Sequence, residues 1–208
     1  MRCSFNVDRT GFPLLHVPAA GLYVHLLPVT KIQFERFLAE PNEFDNRWYE
    51  EVLAANPRYC QSRAVDEKRE RLFLTNVLPE EARQFADWLG DGFGLPTVSQ
   101  WRAVYRALAR IDYTDKLLDL VALAPAARAI LVQLVKELKP TSLLSLSLMV
   151  EGVVEWVMDG TAWVGVGAPR ASLHPVISDP TRDTHKPIDP SRRLHFFGFR
   201  LVCNQAQS

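Results

Sequence analysis

Val153-Val154-Glu155-Trp156-Val157-Met158-Asp159-Gly160-Thr161-Ala162-Trp163 is the stretch whose reading decides the fold, together with Phe196-Phe197-Gly198-Phe199-Arg200-Leu201-Val202. Val153, Val154 and Val157 are β-branched and flank Glu155 and Trp156. That composition suits a strand with a large aromatic ring packed inward. Asp159-Gly160 then offers a turn, and Thr161-Ala162-Trp163 leads into a second apolar run. Phe196–Val202 is again strand-like, and Gly198 leaves room for a neighbouring backbone or ring.

Working outward, Phe12 to Val17 and Leu22 to Leu27 read as a hairpin or a pair of short strands around Pro18-Ala19-Ala20-Gly21. His16 and His25 lie within them and read as structural residues. Thr30 with Gln33 has capping-box spacing, and Phe34, Phe37 and Leu38 form the buried face of the helix it opens. Residues 40–71 are charged with mixed sign and read as a solvated loop with short helical turns. Leu72 to Val77 reads as a short strand. A helix opens at Pro79, with Glu80 and Glu81 at its positive end. Its apolar face is Ala82, Phe85, Ala86 and Leu89. Thr97 with Gln100 repeats the capping box, and Trp101, Val104, Tyr105 and Leu108 form the next face.

These pieces resemble the formylglycine-generating enzyme (sulfatase-modifying factor) family. The late motifs are carried by Met149, by Val153 to Val157, by Gly160-Thr161-Ala162-Trp163 and by Gly198 to Val202. Val29, Thr30, Phe34, Phe37 and Leu38 match the early helix, with Pro28 where the family has a glutamate. Val77, Glu81, Ala82, Phe85, Trp88 and Leu89 match a second helix. Leu95, Pro96, Thr97, Trp101 and Arg106 match a third, in which Val98 and Gln100 replace two glutamates. The resemblance covers residues 22–109 and 149–202. It implies an α+β, C-type-lectin-like single domain over residues 1–208. Two regions stand apart in this expectation: a helical insertion at 113–140 and a long surface loop at 165–193. The insertion reads as two short helices split around Pro125. Leu117, Leu118 and Val121 mark one apolar face; Ile130, Leu131, Leu134 and Leu138 mark the other, and both are expected to pack on the core.

The chain has 208 residues, with Lys+Arg and Asp+Glu at 24 each, so no net charge draws it to nucleic acid. The start, MRCSFNVDRTGF, has no apolar run of a signal peptide, and no stretch reaches the length of a membrane-spanning helix. A cytoplasmic protein with no membrane and no nucleic-acid partner is expected. Cys3, Cys60 and Cys203 are too few and too scattered for a disulfide framework.

The resemblance implies an oxidase that holds copper with two cysteines before the terminal strand. Soft thiolate suits Cu(I), yet no cysteine lies between Cys60 and Cys203. Gly152 stands where the family's calcium-binding motif has an asparagine, and calcium needs several hard oxygens. Glu155 therefore reads as a hydrogen-bonded structural carboxylate. The expectation is a non-catalytic protein-binding or accessory module of a bacterial multi-component system. It has no cofactor, and its partner is another protein. Its binding surface is expected at Trp163, Arg170, His174, Arg192, Arg193 and Phe197, in a locally basic segment. Two alternatives stand beside it. One is an altered metal-dependent, oxidase-like enzyme using Glu155, His174, His185 and His195 as metal ligands. The other is a ligand-binding receptor of the diversity-generating-retroelement type, disfavoured because Gly165 to Arg193 lacks asparagine and tyrosine.

Overall fold

A computed structural model of the chain describes residues 5–40, 44–57, 59, 72–114, 120–149, 153–167 and 186–204. Within them the chain is α+β. The N-terminal strands are β1 (Phe5–Val7), β2 (Pro13–Val17) and β3 (Leu22–His25), followed by α1 (Lys31–Leu38) and α2 (Asn46–Ala55). Next come α3 (Pro79–Leu89), β4 (Phe93–Gly94), α4 (Val98–Leu108), α5 (Pro125–Leu138) and α6 (Leu143–Ser147). The C-terminal part holds β5 (Val154–Asp159), β6 (Ala162–Val166), β7 (Phe197–Gly198) and β8 (Val202–Cys203). One sheet has the order β1-β2-β3-β8-β4, the other β6-β5-β7. Every pairing is antiparallel except β5 with β7.

Val153 to Trp163 folds as expected, whereas Phe196–Val202 is not one strand: Phe197–Gly198 and Val202–Cys203 are short strands of different sheets. β5 and β6 form a hairpin in which Trp156 lies opposite Gly165, and Gly160 takes a φ of 61° at the turn. Alternation along β5 splits its side chains between two cores. Val157 joins an aliphatic core with Leu15, Leu22, Ile130, Leu134 and Leu146. Val154 and Trp156 join an aromatic core with Phe34, Phe85, Phe197 and Phe199. The Trp156 indole donates to the Val77 carbonyl at 2.9 Å, so its one polar atom is satisfied in the interior.

The C-terminal segment ties the two sheets together. Phe197 and Gly198 pair with Val154 and Glu155, and four residues later Val202 and Cys203 pair with β3 and β4. The intervening residues are held as well: His25 donates to the Leu201 carbonyl and Val29 to that of Phe199. A Cβ on Gly198 would collide with the Leu74 carbonyl, which is the close approach that a glycine in this strand implied.

The capping boxes of α1 and α4 are both formed. α3 starts with Pro79, and the Glu81 carboxylate caps the Leu78 N–H at 2.8 Å. Three local readings are corrected. Leu72 to Val77 is not a strand: it makes one bridge, Thr30 to Phe73, and Asn76 breaks it with a φ of 64°. Residues 40–71, read as irregular, contain the ten-residue α2, capped by Asp45. In the insertion, Leu117 and Leu118 lie outside the described residues, while Leu120 to Leu123 is turn and Val121 is 83% exposed. The Arg128 side chain takes the carbonyls of Leu120, Val121 and Leu123 that a helix would use internally. The second predicted face is there: Ile130, Leu131 and Leu134 of α5 are buried in the aliphatic core, and Leu138 packs against it.

Candidate functional site

Glu155 and Arg200 meet where the two sheets are joined, and both are buried. The Arg200 Nε lies 3.1 Å from one Glu155 oxygen, and Nη2 lies 2.9 Å from the other. The remaining guanidinium N–H groups donate to the carbonyls of His25, Leu26 and Ser147. Trp101 of α4 donates its indole N–H to Glu155 at 2.8 Å. The carboxylate is thus surrounded by donors from an arginine and a tryptophan, an arrangement that compensates a buried charge. Glu155 is a buried, hydrogen-bonded carboxylate.

The segment leading into β7 carries the predicted binding residues, and they meet different fates. Arg170, His174 and His185 lie outside the described residues. Gly165 and Val166, expected as the start of a surface loop, belong to β6. Trp163 lies on β6, partly buried against the aromatic core, and its carbonyl accepts from Ile188 N–H. Arg192 and His195 are exposed. Phe197 is fully buried, its ring 4.5 Å from that of Trp156, so it belongs to the core and not to a surface. The sequence placed Phe197 at the surface because Phe196 and Phe197 adjoin the loop, and alternation sends only one of them inward. His195 stands in solvent and Glu155 in the core, so these two metal candidates do not share a site. Among the described residues no group of three or more metal-ligating side chains converges.

Arg193 has a different role from the one its sequence suggested. Its guanidinium is about nine-tenths buried and reaches two helices. It donates to the Glu81 carboxylate of α3 with both terminal nitrogens, and to Glu51 of α2 at 2.8 Å. Nη1 also donates to the Asn76 carbonyl at 2.7 Å. Burial works against the Arg193 charge, but hydrogen bonding to Glu81 and Glu51 outweighs it and holds the guanidinium above its ordinary value.

This clamp forms one wall of a cleft of about 300 Å³. Phe44, Asp45, Arg47, Trp48, Glu51, Glu81 and Arg193 line it. α2 and its cap supply four of these, because Asp45 starts the helix and its first turns then present Arg47, Trp48 and Glu51. Asp45 accepts from the Arg47 backbone and Nε, and these bonds, led by the side-chain one, lower its pKa below the carboxylate norm. No sequence motif marks the cleft; the only local signal was Asp45 as a helix cap with Trp48 and Val52 one turn apart.

A second polar group lies under β2 and β3. Asp8 is buried and its Oδ1 accepts from Thr10 N–H, Thr10 Oγ1 and Phe12 N–H. Its Oδ2 accepts from Gln33 and lies 3.1 Å from His25 Nε2. Burial pushes the Asp8 pKa up, and the contacts to His25, Thr10 and Phe12 outweigh it, leaving that pKa below its ordinary value. His25 is thereby a core residue, as expected.

A protein-family model described as "Sulfatase-modifying factor enzyme 1-like domain" matches residues 2–205. No curated protein matches the chain.

Proposed function

The chain belongs to the sulfatase-modifying factor enzyme 1-like family, and from that premise we propose that it is a non-catalytic member, a protein-binding accessory module of a bacterial multi-component system. One observation carries the reading: the family's packing residues are kept while its chemical ones are absent. Trp101 and Arg200 both donate hydrogen bonds to Glu155 in the core. Between Cys60 and Cys203 there is no thiol to hold copper. Copper therefore does not fit this chain, and no oxidase step is derived from it. Calcium does not fit Glu155, whose oxygens are taken by Arg200 and Trp101. The same reading takes the α+β architecture as C-type-lectin-like and the setting as cytoplasmic. The partner is a protein, and no helix among the described residues is long and apolar enough to cross a membrane.

The surface proposed for the partner is the exposed rim around Trp163, Arg192 and His195. Arg193 supports it from below by fixing the segment to α2 and α3. Arg170 and His174 are proposed to belong to the same surface. The test is capture of partners from the native source with wild type and a Trp163→Ala/Arg192→Ala variant. A partner held by the wild type and lost by the variant is expected. Conversion of a peptide cysteine to formylglycine by the purified chain would overturn the non-catalytic reading.

A further inference from the structure

We draw no further inference here: the strongest candidate, the outer edge of β6 in the smaller sheet, where the Trp163 carbonyl accepts from the Ile188 N–H, carries no proposal because nothing among the described residues shows what covers the rest of that edge.

Discussion

Arg200 is a fully buried cation, and its neighbourhood explains how it is tolerated. Three carbonyls and one carboxylate receive its N–H groups, so little of its hydration is lost without replacement. Such a pair is weak evidence of net stabilisation, but removal of one member is costly because the other charge stays buried. Arg200→Met is therefore expected to lower unfolding free energy by roughly 3–5 kcal/mol, read from urea denaturation. Glu155→Leu in the same background should recover part of that loss, and strict additivity of the two changes would contradict the pairing. Asp8 gives a pH dependence. Its folded pKa is depressed below the ordinary value. It thus adds stability that is fully present above the unfolded value and is lost as pH falls through the folded one. Asp8→Asn should flatten the acid limb of the stability curve below about pH 4, measured by thermal unfolding from pH 3 to 7. At this scale the sequence told some residues well. Glu155 beside a tryptophan, in a strand with no second ligand, was legible as structural. Arg193 was not, because its partners Glu81 and Glu51 stand 112 and 142 positions away in the chain.

Elements with a local cause were the legible ones. α1, α3 and α4 each announce themselves by a cap and an apolar stripe, and each forms where those signals stand. Thr97 accepts from the Gln100 N–H while Gln100 accepts from the Thr97 N–H, so the first turn of α4 has two of its free donors satisfied. Thr97→Ala is expected to cost about 1 kcal/mol, with Thr97→Ser nearly neutral, both by chemical denaturation. An equal loss for both would show that the methyl group, not the hydroxyl, matters. α2 was hidden because the charges on its outer side resemble a solvated loop, and only Trp48 and Val52 are buried. The segment before α3 misled for the opposite reason. Its apolar run is buried as a strand would be, yet Asn76 in a left-handed conformation keeps it from continuing as a ladder. That turn was invisible to periodicity, since it depends on the Trp156 and Arg193 side chains that bond the Val77 and Asn76 carbonyls from elsewhere.

On the scale of the whole molecule, two sheets and two cores share one C-terminal segment. β7 closes the smaller sheet and β8 occupies an interior place in the larger one, between β3 and β4. Side chains divide in the same way: Val202 enters the aliphatic core, whereas Phe199, Leu201 and Cys203 enter the aromatic one. Neither core can lose this segment and keep its sheet, so the two should unfold together. Trp101 sits in the aliphatic core and Trp156 in the aromatic one, and both rings are buried. Single-tryptophan probes built on these positions, with the other tryptophans changed to phenylalanine, should report coincident urea transitions that match far-ultraviolet circular dichroism. The strongest perturbation of that coupling is Gly198→Ala, where the added Cβ meets the Leu74 carbonyl and the Val153 side chain. Forcing a methyl group into close-packed space costs about 1–3 kcal/mol, and more against a backbone atom that cannot move aside. Gly198→Ala should therefore shift both tryptophan transitions to lower urea by the same amount. If only the Trp156 transition moves, the aromatic core unfolds by itself, and the C-terminal segment is an attachment between two units instead of a shared strand.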